Sequence, residues 1–293
     1  MRSMLFVPGD SERKLEKSLG SGADALILDL EDSVAPANKP AARATTAAFL
    51  ADHGQRDGRP LIYVRVNDFS TGLTDDDLSA VVAARPDGIM LPKSLGGADV
   101  SRLSAKLRVH EAQAGLEDGA IRIVPLITET AAGLLAAGSY DAALPRLAGI
   151  TWGAEDLSAD IGASATRDER GRYTDVFRLA RAMTILAASA CEVQAIDTVF
   201  VNFRDDDGFR AECKDAERDG FTGKMAIHPA QVPLINEAFT PSAEAIEEAR
   251  AIAAAFEAAG NPGVVGIGGK MYDRPHLRRA QRLLARAGAA TRG

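Results

Sequence analysis

Short apolar runs alternate with longer amphipathic segments through most of the 293-residue chain, and that rhythm constrains it to parallel strands joined by crossover helices. Eight runs read as strands: SMLFVP (3–8), ALILDL (25–30), LIYVRVN (61–67), GIMLPK (88–93), IRIVPLI (121–127), AGITWG (148–153), QAIDTVF (194–200) and KMAIHP (224–229). The helical pattern falls on residues 11–19, 39–50, 73–83, 100–114, 131–144, 175–190, 205–219 and 231–239, with Asp10 or Ser11 and Asp99 as caps. Eight alternating units predict an α/β fold of the (β/α)8 TIM-barrel type over residues 1–240, with functional groups at the carboxyl ends of its strands. Residues 241–293 form a C-terminal helical extension outside that count. It comprises a helix over 242–259, a turn cluster at 260–263, a glycine-rich stretch (264–275) of flexible composition, and a last amphipathic helix over 276–287. This tail reads as a lid that covers the barrel mouth or reaches a neighbouring subunit.

Charge then narrows the function. With 34 Lys+Arg against 41 Asp+Glu, the net charge of -7 offers no basic field for nucleic acid or an anionic membrane, so an anionic substrate must be met locally. No run reaches the ~18 apolar residues of a membrane span. The two cysteines, Cys191 and Cys213, lack the spacing of a disulfide framework or a zinc site, and a reducing cytoplasm is the expected compartment.

Acidic residues and one arginine recur directly behind the apolar runs, in LILDLED (26–32), YVRVND (63–68), LITET (126–130) and ITWGAEDLSADIG (150–162). A strand interior cannot hold an unpaired charge cheaply, so these side chains need partners at the strand ends. Glu129 and Asp156 close consecutive strands. They read either as an oxygen pair for a hard ion such as Mg²⁺ or as caps of the helices that follow them. Arg65 shares a face with Tyr63 and Asn67 by strand alternation. It can grip a substrate carboxylate through two parallel hydrogen bonds, pair internally with Asp29 or Glu31, or do both. Asp29, Glu31 and Asp32 are too many carboxylates for one metal; they read as outer hydrogen-bond partners of metal waters or as structural partners of Arg65, Lys93 or Lys39. Residues 10–14, with Arg13 and Lys14, open the first helix either as a phosphate seat or as an ordinary mixed-charge helix start. His228 reads as a structural histidine, and no Ser-His-Asp set or catalytic cysteine can be assembled.

The segments MLFVPGD (4–10), DALILDLEDSV (24–34), KPAAR (39–43), YVRVN (63–67), IMLPK (89–93), ETA (129–131), WGAEDLSADIG (152–162), IHPAQ (227–231) and KMYDRP (270–275) together resemble the citrate lyase β-subunit-like proteins of the HpcH/HpaI aldolase superfamily, relatives of malyl-CoA and citramalyl-CoA lyases. The resemblance spans nearly the whole chain in order. It implies a barrel enzyme, usually trimeric, that uses Mg²⁺ to cleave or form a carbon–carbon bond between an acyl-CoA thioester and a 2-oxo acid. By the same resemblance, Glu129 and Asp156 are the metal ligands and Arg65 holds the oxo-acid carboxylate. Arg13 and Lys14 meet the coenzyme A nucleotide, and Asp273 is the catalytic acid or base that a C-terminal lid offers to an adjacent subunit. Hydrolysis of malyl-CoA on the same site, or action on an acyl-carrier-protein thioester within a larger lyase complex, are the competing readings.

Overall fold

The computed structural model describes residues 1–54 and 57–290. Its chain divides into two compact units, Met1–Asn236 and Glu237–Gly293. In the first, strands β1 (Ser3–Pro8), β2 (Ala25–Asp29), β3 (Leu61–Arg65), β4 (Gly88–Leu91), β5 (Arg122–Pro125), β6 (Gly149–Thr151), β7 (Gln194–Asp197) and β8 (Gly223–Ala226) pair in parallel in the order β5-β4-β3-β2-β1-β8-β7-β6. The remaining seam, β5 to β6, is bridged at Ile123–Leu147 and Leu126–Thr151, where the Ile127 N–H donates to the Thr151 carbonyl at 3.0 Å. The sheet thus curls into the (β/α)8 barrel that the alternation predicts.

All eight strands fall inside the runs read from sequence or within one residue of them. Parallel strands covered on both faces must be apolar throughout, and β2 is buried at every position. Met4, Ile27, Tyr63, Met90, Val124, Ile196 and Met225 belong to one buried cluster drawn from seven strands. Each large side chain fully buried there contributes roughly 2 kcal/mol of transfer free energy.

Connecting helices are α1 (Glu12–Ser18), α2 (Lys39–His53), α3 (Thr74–Val81), α4 (Gly97–Gln113), α5 (Ala131–Leu135), α6 (Glu155–Ile161), α7 (Asp175–Ala190), α8 (Asp206–Asp219) and α9 (Gln231–Phe239), the last containing the boundary between the units. Several details differ from the sequence reading. The single helix expected over 131–144 is α5 followed by a 3-10 turn, Ala137–Ser139, because the chain there packs closely on the start of α4. The Gly97 N–H donates to Ser139 Oγ at 2.9 Å, and a Cβ at Gly97 would lie 2.5 Å from the Ser139 carbonyl oxygen. Helix α4 begins at Gly97, so Asp99 sits inside its first turn instead of capping it, and Ser11, the N-cap of α1, makes no side-chain cap hydrogen bond. Helix α6 is the helix that Asp156 could have capped, but its N-cap is Ala154 and Asp156 lies inside its first turn; it is only seven residues long and buries a single one, Leu157.

The second unit holds α10 (Ala243–Ala258), an antiparallel hairpin of β9 (Val264–Ile267) and β10 (Lys270–Asp273), and α11 (Arg274–Ala290). The stretch read as flexible is therefore ordered. Its glycines serve the turn, where Gly268 and Gly269 have φ of 56° and 80°, values costly for residues with a Cβ. Ala249, Ile252 and Phe256 of α10 form a small core with Val265, Leu277 and Ala280.

Candidate active site

Five strand ends of the first unit bring charged side chains to the carboxyl edge of the barrel. Asp29 is the last residue of β2 and Arg65 the last of β3, paired directly in the sheet register. The Arg65 Nε and Nη2 donate to the two Asp29 carboxylate oxygens at 2.7 and 2.8 Å, and its guanidinium lies 4.8 Å above the Phe6 ring. Burial opposes charge on both partners. The fork-to-fork pairing overcomes it, holding Asp29 below its ordinary value and Arg65 firmly protonated. The edge formed by Nη1 and Nη2 keeps further donors, with Glu31 Oε2 2.9 Å from Nη1. Strand β3 ends at Arg65, so alternation does not extend to Asn67. The Asn67 amide instead donates to Asp77 and to the Leu30 carbonyl, and accepts from Lys39.

Glu31 is buried between two cations, hydrogen-bonded to Lys93 Nζ and facing Arg65. Burial, opposed by Arg65 and Lys93, lifts its carboxyl to about 6. Its Oε2 accepts no directed hydrogen bond. Lys93 Nζ also lies 3.5 Å from Asp156 Oδ1 and 3.6 Å from Asp32 Oδ2. Two residues beyond β4, Lys93 adopts a left-handed backbone with φ of 50°, a conformation that costs a non-glycine residue roughly 1–3 kcal/mol. That turn aims its N–H at Glu129 Oε2.

Glu129 does not cap α5. That role belongs to Thr130, whose hydroxyl accepts from the Gly133 N–H at 3.0 Å. Glu129 is instead 2% exposed at the barrel mouth. Burial raises its carboxyl to about 8, Glu31 and Asp156 add to the rise, and the Lys93 N–H and Arg65 oppose it. Gly153 makes room for it, since a Cβ there would stand 2.8 Å from Glu129 Cγ. Asp156 lies in the first turn of α6, where a carboxylate suits the helix dipole, and its side chain is 34% exposed.

Arg65, Asp29, Glu31, Asp32, Glu129 and Asp156 thus converge, with Lys93 at their centre. Five carboxyl groups face two directly paired cations, an excess of negative charge that a hard divalent ion would offset. Among the described residues no three His, Cys, Asp or Glu side chains form a metal cage. Two carboxylates with an all-oxygen surround suit magnesium, which takes few protein ligands and keeps several waters. Arg13 and Lys14 are exposed on α1, the helix that follows β1. Asp273 ends β10 in the second unit, where His276 Nδ1 sits 2.5 Å from its Oδ1 and holds its carboxyl below the ordinary value. The His228 ring is stacked on Phe203 at 4.9 Å. Lys93 entered the sequence reading only as a structural partner; the signal that marks it is the same as for the acids, a charge directly behind an apolar run.

A (β/α)8 barrel with a carboxylate-rich, arginine-anchored mouth at the carboxyl edge of its strands defines the class as a barrel enzyme. The HpcH/HpaI aldolase/citrate lyase family model matches residues 2–229, and the model for C-C bond lyases of the TIM-barrel fold matches residues 173–290. The chain is 38% identical over 98% of its length to a (3S)-malyl-CoA thioesterase of Cereibacter sphaeroides, of which 95% is covered. It is 35% identical to the mitochondrial citramalyl-CoA lyase of Mus musculus, covering 98% of this chain and 86% of that one. Among solved structures, protein CitE of Mycobacterium tuberculosis in complex with magnesium, acetoacetate and coenzyme A superposes with a TM-score of 0.75 at 35% identity, covering 98% of both chains. The chain belongs to the HpcH/HpaI aldolase/citrate lyase family and is a carbon–carbon lyase.

Proposed function

We propose that the protein is a magnesium-dependent lyase that cleaves a 3-hydroxyacyl-CoA, such as malyl-CoA or citramalyl-CoA, into an acyl-CoA and a 2-oxo acid, or condenses them. The observation that carries this reading is the convergence of Glu31, Glu129 and Asp156 on Lys93 beside the Arg65 guanidinium, with the Glu129 carboxyl buried. Burial and the neighbouring acids raise the Glu129 carboxyl to about 8, so its proton would be displaced to solvent when a cation binds. Glu129 and Asp156 are the residues that would hold Mg²⁺, with Asp29, Glu31 and Asp32 around them. When bound, the ion supplies Lewis acidity toward the substrate carboxylate and hydroxyl and offsets charge developing on that oxygen.

The protein's own residues do the rest. Asp29 fixes the Arg65 plane, leaving the Nη1–Nη2 edge to hold the substrate carboxylate. Arg13 and Lys14 on α1 meet the coenzyme A phosphates. In cleavage the carbinol proton passes to solvent water, the C–O⁻ becomes the carbonyl of the 2-oxo acid as the carbon–carbon electron pair passes to the acyl α-carbon, and Asp273 of a neighbouring copy in a homotrimer delivers a proton there. His276 holds Asp273 ionised at rest, so it begins as a base in condensation or hydrolysis and must first gain a proton for cleavage.

A second reading, thioester hydrolysis, is favoured by the relative named as a malyl-CoA thioesterase. Candidate hydroxyacyl-CoA thioesters incubated with Mg²⁺ and resolved by mass spectrometry separate the two. The lyase reading expects a 2-oxo acid and an acyl-CoA, and a rate lower by at least about 10²-fold in Asp273→Asn. Free hydroxy acid with free coenzyme A would mark a thioesterase instead, and undiminished turnover under chelator would overturn the metal assignment. Turnover of carrier-protein thioesters alone would make the chain a component of a larger lyase.

A further inference from the structure

The proposed metal site already contains a cation of the protein's own. Lys93 reaches the acidic cluster from both ends. Its main-chain N–H binds Glu129, while its ammonium binds Glu31 and stands 3.5 Å from Asp156 and 3.6 Å from Asp32. Arg65 is the other cation in direct contact, but it is committed to Asp29 by two hydrogen bonds and stacked over Phe6. The Lys93 side chain is less confined, at 27% exposed against 11% for Arg65. One of the two cations is locked in place, and the other has room to withdraw.

We propose that Lys93 is a built-in counter-cation, whose ammonium neutralises Glu31 and Asp156 in the metal-free protein and competes with a divalent ion for the acidic cluster. Its two ends have separable roles. The backbone N–H positions Glu129 whatever the side chain is, whereas the ammonium weakens metal binding in exchange for holding mutually repelling carboxylates together. The consequence is a metal affinity lower than two carboxylates in this setting would otherwise give, and a site whose acids stay gathered before the ion arrives. Lys93 is a positioning residue here, and the inference rests on the reading of Glu129 and Asp156 as metal ligands.

The test is a Mn²⁺ titration of the purified full-length protein without substrate, following the electron paramagnetic resonance signal of free Mn²⁺. Lys93→Gln keeps the N–H and most of the side-chain length while removing the charge, and it should bind Mn²⁺ about tenfold more tightly than wild type. Lys93→Gly suits the left-handed backbone, keeps the N–H, and should tighten binding likewise even if the glutamine variant fails to fold. Asp156→Asn should weaken binding strongly. No Mn²⁺ bound by wild type would overturn both the metal reading and this one. Binding that is lost in Asp156→Asn, yet unchanged or weaker in folded Lys93 variants, would overturn the counter-cation alone.

Discussion

Glu111 and Glu129 are glutamates of the same barrel, 0% and 2% exposed, and their surroundings drive them in opposite directions. Glu111, in the last turns of α4, sits at the amino edge of the strands. Arg146 grips both of its oxygens at 2.6 and 2.7 Å, and the N–H groups of Ile121 and Gly119 donate to them as well. Burial pushes its carboxyl up, but these partners prevail and hold it below the ordinary value. Glu129, at the carboxyl edge, has one N–H and a crowd of other acids, and it rises to about 8. Buried charge with a full set of partners is structural; buried charge left in excess marks where something else is meant to bind. The fully buried Lys224, paired with Asp197 and Glu212 at 2.7 and 2.8 Å, belongs with Glu111.

The largest expected effect comes from exchanging the fates of the two glutamates. Glu111→Gln leaves the buried Arg146 with only the exposed Asp118 as counter-charge and should cost about 3 kcal/mol of unfolding free energy in chemical denaturation, with little change in the kcat of molecules that remain folded. Glu129→Gln should do the reverse, lowering kcat/KM by about 10³-fold while the denaturation midpoint of the metal-free protein at neutral pH rises above that of wild type. Similar stability losses in both variants would break the contrast.

Next in size is the pH dependence of the metal-free protein. Because the folded state raises Glu129 from 4.5 to about 8, the stabilisation linked to its proton is complete below about 4.5 and is lost as pH rises through about 8. Glu111 is depressed, so its contribution is present above its ordinary value and is lost as pH falls. Between pH 5 and 8, Glu129→Gln should flatten the decline of the melting temperature with pH and Glu111→Gln should not. Equal slopes in wild type and Glu129→Gln would contradict the raised carboxyl.

The smallest effect sharpens the comparison. Gly153→Ala would set a Cβ 2.8 Å from Glu129 Cγ, and a displaced Glu129 should weaken Mg²⁺ binding severalfold by calorimetry. Unaltered affinity would mean that the glycine serves packing alone.

Much of this was legible in the sequence, for physical reasons. A strand must carry β-formers and be apolar on both faces in a parallel barrel, so the eight runs announce themselves, and charges behind them had to emerge at the mouth. Arg65, Glu129 and Asp156 lie at the mouth for that reason. What escaped depends on contacts between segments distant in sequence. The break after α5 follows from the close approach of Gly97 to Ser139, 42 residues away. The hairpin of β9 and β10 hides in a glycine-rich stretch because two turn glycines dilute short strands. The pairing of Lys93 with Glu31 is one the sequence offers, but its second hold, on Glu129, is not. A lysine behind a strand reads as an ordinary salt-bridge partner, and only its left-handed backbone lets one residue hold Glu129 by its amide and Glu31 by its ammonium.

The central claim is that the excess negative charge at the carboxyl edge is a seat for one divalent ion. Anomalous diffraction from a crystal grown with Mn²⁺ tests it directly. The account predicts a single strong peak at coordination distance, about 2.0–2.3 Å, from carboxylate oxygens of both Glu129 and Asp156, with the Lys93 ammonium drawn away from Asp156. A mouth without a peak at saturating Mn²⁺, its lysine still against Asp156, would contradict it.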